Sequence, residues 1–274
     1  KTFAAIIVHQ LIDQGKIKLT DKVEDVMPDF KGTDMGKATV QQVLDHTSGM
    51  PQLIDYHTPG ALGYLFELEI GLKKGTTKGH RNILKETKAD KKPGEAWQYS
   101  DMNTDVLGLL AEAASGKKFP ELLADLFDTI GSNQGGSIAK TSDGTASPCY
   151  GISMSARDFA LFHQWIAEGK APKSYYESAR DLEKSIYSKN ELAALAHPGT
   201  EYGSQSYYIA DNNVLFSNGS FGETGYSDMR TGLAVVFLSD WAVNAEIAKQ
   251  ADNRKRALTI MNAYIASQDP RSRQ

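Results

Sequence analysis

Cysteine is nearly absent: Cys149 is the only one in 274 residues. A lone cysteine excludes an internal disulfide and a cysteine-based zinc site. Long apolar runs are missing too, and nothing approaches the roughly 20 residues that a membrane span needs. Positive charge is not in excess. Thirty Lys and Arg stand against 34 Asp and Glu, a net charge of -4, which argues against a general nucleic-acid binder or a basic membrane-surface protein. There is no G-x-x-x-x-G-K-[ST] phosphate loop, no G-x-G-x-x-G after a strand, no H-E-x-x-H and no G-x-S-x-G elbow. The six histidines (His9, His46, His57, His80, His163, His197) never fall at i, i+4. His9 and His163 lie in helical patterns, where a hydrogen-bonded structural role is expected. What is present is a chain 41% hydrophobic and 23% charged, a composition able to bury a sizeable core.

The first stretch, "KTFAAIIVHQLIDQG", reads as an amphipathic helix already under way. Phe3, Ile7 and Leu11 are spaced by four, Ile6, Val8 and Ile12 widen the stripe, and Gly15 supplies a stop. No Ser, Thr, Asp or Asn precedes it as a cap. "TVQQVLDHTSGMP" predicts a helix over 40–46 broken by Ser48, Gly49 and Pro51. "NTDVLGLLAEAASG" predicts a helix capped by Asn103 or Thr104 and ended by Gly116. "FPELLADLF" predicts another, and "SARDFALFHQWIAEG" a third between Ser155 and Gly169. The character then changes. "YGSQSYYIA", "NVLFSNGSF" and "LAVVFLSD" carry aromatic and β-branched residues between Asn, Gly and Asp turns, as antiparallel strands do. "AEIAKQADNRKRALTIMNAYIAS" closes as a helix. A helical middle followed by a small antiparallel sheet and a last helix predicts an α+β fold.

Five of these segments, in order, resemble one superfamily: serine hydrolases related to class C β-lactamases, DD-peptidases and carboxylesterases. The opening helix resembles that family's Ser-x-x-Lys-[TS]-[FL] helix from its lysine onward. "VQQVLDHTSGMP" is similar to "LLTHTSGLP", and "PGEAWQYSDMNTDVLGLL" to the Pro-Gly-x-x-Phe-x-Tyr-Ser-Asn segment. "GISMSARDFALFHQW" resembles the later Ala-Arg-Asp helix, and "YGSQSYY" the strand written "YGYQWW". Within the superfamily, "YSDMNTDVLGLL" most resembles 6-aminohexanoate-dimer (nylon-oligomer) hydrolases and related esterases. The resemblance implies a β-lactamase/penicillin-binding-protein-like α+β fold, with an antiparallel sheet flanked by helices plus a mostly helical subdomain. Residues 1–16 and 200–274 would form the sheet subdomain and 17–199 the helical one.

The same resemblance makes Lys1 the motif lysine, with the nucleophilic serine expected three positions before it. A serine hydroxyl needs an adjacent base, and a lysine one helical turn along lies on the same face. An ordinary lysine, with a pKa of about 10.4, is almost wholly protonated at neutral pH, so a base here is expected to be buried and its pKa depressed. Tyr99 matches the family tyrosine and is expected to shuttle the proton between serine, lysine and leaving group. Asp101 stands where many members carry Asn; an acid there favours a protonated lysine, and Asn103 is the amide nearest to replace it. The third motif, Lys-Thr-Gly or His-x-Gly, has two candidates. Glu223-Thr224-Gly225 fits by letters, but leaves only six residues to Met229. Ser217-Asn218-Gly219 leaves twelve, room for a strand and turn, and is chosen. The backbone N–H of Ser220 is then the second oxyanion donor. Ser217 in place of Lys or His removes a cation that would bind a substrate carboxylate, which favours neutral esters or amides. His46 and Ser48 are read as shaping the pocket wall, with Tyr56 and Asp55 beyond them as substrate contacts.

The expected function is hydrolysis of a small ester or amide through an acyl-enzyme. β-Lactamase or DD-peptidase activity is an alternative, and a non-catalytic protein of this fold binding a peptide or cell-wall fragment is another. No metal or organic cofactor is implied, the partner is a small-molecule substrate, and no nucleic acid or membrane span is expected. Compartment and oligomeric state stay open.

Overall fold

The structure, a computed structural model, describes residues 1–51, 79–141, 143–191, 197–219, 222–239 and 246–268. Helix α1 (Thr2–Asp13) runs through the middle of the molecule. Phe3, Ala4, Ala5, Ile6, Ile7, Val8 and Leu11 are all buried, so its apolar surface reaches almost round the cylinder, as in a helix packed on all sides. Short α2 (Val23–Val26) and α3 (Val40–Leu44) follow. Thr39 caps α3 by accepting the Gln42 N–H, and the Gln42 side chain returns a bond to the Thr39 N–H, satisfying two of the free donors at the helix start. After α4 (His80–Glu86) comes α5 (Asp101–Ser115), ended by Gly116 in the left-handed conformation, then α6 (Phe119–Thr129). Helix α5 begins at Asp101, before the expected caps Asn103 and Thr104. Both of those side chains are buried in hydrogen bonds to other elements, so neither is available to cap.

A two-stranded hairpin, β1 (Gly136–Ile138) with β2 (Ile152–Met154), leads into α7 (Ala156–Ala167) and α8 (Lys173–Ala179). Ser155 caps α7 as expected, accepting the Asp158 N–H. The main sheet is antiparallel throughout, in the order β3 (Glu201–Gly203), β4 (Ser206–Ile209), β5 (Val214–Asn218), β6 (Thr224–Asp228), β7 (Leu233–Phe237). Helix α7 packs on β6 and β7 from one side, and the last helix, α9 (Glu246–Gln268), packs on them as well. The pleat divides the core accordingly. Leu215 joins Phe3 and Phe162 in the main core, whereas Val214, Phe216 and Tyr226 pack with Ala257 and Met261 of α9. Phe3 of α1 stacks on Phe162 of α7 at 3.9 Å between ring centroids, which ties the head of α1 to the sheet's inner helix. Among the described residues no helix is long and apolar enough to cross a membrane.

Candidate active site

The head of α1 carries the site. Lys1 is only 23% exposed, and its Nζ lies 2.9 Å from Oδ1 of Asp101, at the start of α5. A second N–H is donated to the backbone carbonyl of Cys149 at 2.6 Å. The Tyr99 ring stands beside the same ammonium, whose nitrogen sits 5.3 Å from the ring centroid. The structure thus brings together Lys1, Tyr99 and Asp101. It does not give the expected depressed amine. Burial, the largest single influence, pulls the lysine down, but Asp101 first, then Tyr99 and Cys149, together outweigh it and hold Lys1 well above the ordinary lysine range. The expected depression fails because the Asp101 carboxylate, the strongest of the influences that favour the charged form, acts together with Tyr99 and Cys149 against burial. Burial pushes the Tyr99 phenol above its usual range, against the opposing pull of Lys1.

The Cys149 carbonyl is placed by groups that sequence reasoning missed. Asp105, one turn after Asp101 on α5, accepts from the Cys149 N–H at 3.3 Å and the Ser147 hydroxyl at 3.0 Å through Oδ1. Its Oδ2 meets Nε2 of His80 at 2.8 Å in a fully buried pair. The i, i+4 carboxylates of one helix therefore divide the work. Asp101 takes the ammonium, and Asp105 fixes the loop that supplies the ammonium's second acceptor.

The "HTSG" turn supports Tyr99 from below. His46 is buried with φ 55° and its ring lies 4.7 Å from the Tyr99 ring. Its Nδ1 accepts from the Ser100 N–H at 3.3 Å and from Nδ2 of Asn103 at 3.0 Å, which places the ring hydrogen on Nε2. Burial and then the Lys1 charge hold the imidazole well below its ordinary pKa, so it is a neutral platform. Oδ1 of Asn103 accepts from Ser48 at 2.6 Å. Asn103, expected to offer its amide to a substrate, instead has both ends of that amide in the buried turn. Gly49, at φ +84°, is required there, because a Cβ would overlap the Lys91 carbonyl.

"YGSQSYY" folds as the β3–β4 hairpin. Its two turn residues, Ser204 and Gln205, both lie in the left-handed region (φ 49° and 58°), the geometry that matches strand twist in a two-residue turn. Neither is glycine, and hydrogen bonds hold both. Gln205 joins three elements: its N–H and amide bond the Leu44 carbonyl at the end of α3, its Oε1 accepts from Thr104, and its carbonyl accepts from Thr2, next to Lys1. Ser204 donates its N–H to Asp45 at 2.8 Å. Burial raises the Asp45 carboxyl to about 7, despite that bond and one from Gln41. A carboxyl whose folded pKa lies above its unfolded value costs nothing while protonated in both states. It destabilises the fold progressively as pH rises from about 4 through 7. Asp45→Asn is expected to remove this slope, which we place at about 2 kcal/mol after discounting for partial exposure. Urea midpoints of wild type and variant from pH 4.5 to 7.5 check it, and parallel curves would refute it.

The two third-motif candidates lie side by side, Ser217 opposite Gly225 and Asn218 opposite Thr224 on paired β5 and β6. Ser217 faces α7, where its hydroxyl meets Nε2 of His163 at 3.0 Å. Asn218 faces the other way, into a cleft of about 260 Å³ lined by His197, Phe216, Tyr226 and Arg254. Their side chains therefore serve opposite faces of the sheet. The Gly219 N–H is held by the Glu223 carbonyl at 2.6 Å. Ser220, Tyr56 and Asp55 lie outside the described residues.

A family model described as Beta-lactamase matches residues 1–259. The 6-aminohexanoate-dimer hydrolase of Paenarthrobacter ureafaciens is 24% identical over 253 residues, taking in 88% of this chain and 64% of that protein. The chain thus spans less than two thirds of that relative's length. Among solved structures, a Bacillus anthracis protein assigned as a 6-aminohexanoate-dimer hydrolase aligns with a TM-score of 0.78 at 18% identity, over 97% of this chain and 71% of the other. A class C β-lactamase aligns with a TM-score of 0.61 at 15% identity, over 91% and 78%. These likenesses show the fold, an antiparallel sheet with helices packed on it, and match the resemblance read from the five sequence segments. With the family model covering nearly all of its length, the chain belongs to the beta-lactamase family.

Proposed function

We propose that this chain carries the lysine and tyrosine of a serine hydrolase that cleaves a small ester or amide through an acyl-enzyme. The observation that carries the reading is the contact of Lys1, Tyr99 and Asp101 at the head of α1. A serine three positions before Lys1 would stand one helical turn away. Its proton passes to the neutral lysine amine with the Tyr99 phenol alongside, and its oxygen adds to the substrate carbonyl. The tetrahedral oxyanion is met by the serine's own N–H. As the intermediate collapses, Tyr99 returns a proton to the leaving alcohol or amine, and water then releases the acid by the same steps reversed. Named relatives that act on 6-aminohexanoate dimer favour a linear amide or ester.

The test is to treat the full-length protein with a fluorophosphonate probe and a p-nitrophenyl ester. Labelling of the serine three before Lys1, with turnover, is expected. A different residue there, or no labelling and no turnover, would overturn the reading. A second reading, a non-catalytic binding protein, is favoured by one specific observation: the 2.9 Å Lys1–Asp101 pair, which keeps the amine charged. Turnover of nitrocefin instead of the ester would move the assignment to a β-lactamase.

A further inference from the structure

His80 opens α4, and two carboxylates that serve one loop hold it by its ring and by its backbone. Its Nε2 meets Oδ2 of Asp105 at 2.8 Å, with both side chains 1% exposed. Its backbone N–H donates to Oδ2 of Asp143 at 2.6 Å. Glycine precedes it, because a Cβ at Gly79 would stand 2.8 Å from that same oxygen. The second oxygen of each carboxylate turns into the loop between β1 and β2. Oδ1 of Asp143 accepts from the Thr141 hydroxyl at 2.6 Å and from the Thr145 N–H at 3.0 Å. Oδ1 of Asp105 accepts from Ser147 and from the N–H of Cys149, whose carbonyl takes a hydrogen from Lys1. One histidine thus anchors both halves of the loop that reaches the ammonium.

A carboxylate as buried as Asp105 needs a compensating partner. Among the described residues no lysine or arginine side chain pairs with it, and His80 makes that contact. A carboxylate oxygen only accepts, so the contact places an imidazole hydrogen on Nε2. The consequence falls on the geometry of the amine. As an ammonium Lys1 has three hydrogens, of which Asp101 takes one at 2.9 Å and the Cys149 carbonyl another at 2.6 Å. After deprotonation two hydrogens remain, and the same two acceptors claim them. The lone pair is left with the third direction. Without the carbonyl, the amine turns about its last carbon–nitrogen bond and the lone pair loses that direction.

We propose that His80 is a positioning residue: by holding Asp105, and through it the Cys149 carbonyl, it fixes the direction of the lone pair with which Lys1 takes up a proton. This rests on the hydrolase reading above, in which the neutral amine is the base. His80 acts through Asp105 and Cys149, so its loss falls on the chemical step and spares substrate binding.

Two variants of the full-length protein separate this role from mere support of the fold. The side-chain nitrogen of a glutamine can take the place of Nε2, and that of the shorter asparagine cannot. His80→Asn is expected to lower kcat on a p-nitrophenyl ester about tenfold or more with KM little changed, because a small misplacement of a reacting group is costly, whereas His80→Gln stays within about threefold of wild type. No difference in kcat between the two variants, or a fall in thermal midpoint alone, overturns the proposal. The ¹H–¹⁵N signal of the Lys1 ammonium at low temperature reads the same contact without turnover. Wild type and His80→Gln are expected to show slowly exchanging hydrogens with a scalar coupling from the Lys1 nitrogen to a backbone carbonyl carbon, and His80→Asn to lose both. Absence of that coupling in wild type, or its survival in His80→Asn, overturns the proposal. If wild type hydrolyses no ester, the hydrolase reading falls, while the ammonium signal still decides whether His80 places the carbonyl.

Discussion

Tyr99→Phe is expected to lower kcat on an ester or amide substrate by about 10²–10⁴-fold, the span that a positioned general acid–base group supplies. The ring itself should stay where it is. Its neighbours are the His46 ring at 4.7 Å and the Trp97 ring at 6.3 Å, and phenylalanine keeps those contacts. Only the hydroxyl is removed, and with it the Tyr99 contribution to the ammonium. No other described side chain in contact with Lys1 can carry a proton to a leaving group as well. His46 is neutral and uses Nδ1 as an acceptor within the turn, and Asp101 is paired to the amine. The expected signature is therefore a large fall in kcat with little change in KM or in thermal midpoint. Steady-state kinetics on a p-nitrophenyl ester beside a melting curve check it. Activity within threefold of wild type would remove Tyr99 from the proton path.

Why could Lys1 and Tyr99 be read from the chain while the state of the amine could not? Helix α1 announces itself by an apolar spacing that repeats over three turns, and Tyr99 sits in a segment with motif letters on both sides. Both signals are local. The charge on Lys1 depends on a non-local distance. Asp101 warned of a protonated lysine, but only the 2.9 Å contact, with Tyr99 and Cys149 beside it, shows that the charged form prevails over burial. The Cys149 carbonyl had no signal at all, since a backbone oxygen looks the same at every position, and the Asp105–His80 pair behind it joins residues 25 positions apart. Strand β6 was illegible for another reason. Thr224, Gly225, Tyr226, Ser227 and Asp228 are all buried, so there is no inside–outside alternation, and the residues are small or polar. Gly225 has no side chain because His163 fills its place, and Asp228 is buried because Arg230 pairs with it at 2.8 Å. Neither reason can be seen without the partner. Asn103 shows the opposite error, in which a residue apt for a substrate is used by the fold to hold a histidine turn.

The pairing of Lys1 leads to the other large effect. Asp101→Asn keeps the shape of the side chain and leaves the burial of Lys1 nearly unchanged, but removes the strongest influence that raises the amine. An opposite charge at this range shifts a pKa by about 1–3 units, so the Lys1 pKa should fall by a comparable amount. The sign of the kinetic effect then depends on which form works. If the neutral amine is the base, kcat/KM rises with pH through the Lys1 pKa, because deprotonation creates the active form. Lowering that pKa moves the rising limb to lower pH, and each unit of movement raises the rate at pH 7 about tenfold while the limb remains above neutrality. Asp101→Asn is then a faster enzyme at neutral pH, with a limb displaced by at least one unit. If the ammonium is instead the working form, holding a ligand's anionic group by charge, function falls as pH rises through the Lys1 pKa, and the variant's falling limb lies at lower pH than that of wild type. A profile of kcat/KM from pH 6 to 10 for both proteins separates these outcomes. A limb that stays in place or moves upward would mean that Lys1 is not the base, however close it lies to Tyr99.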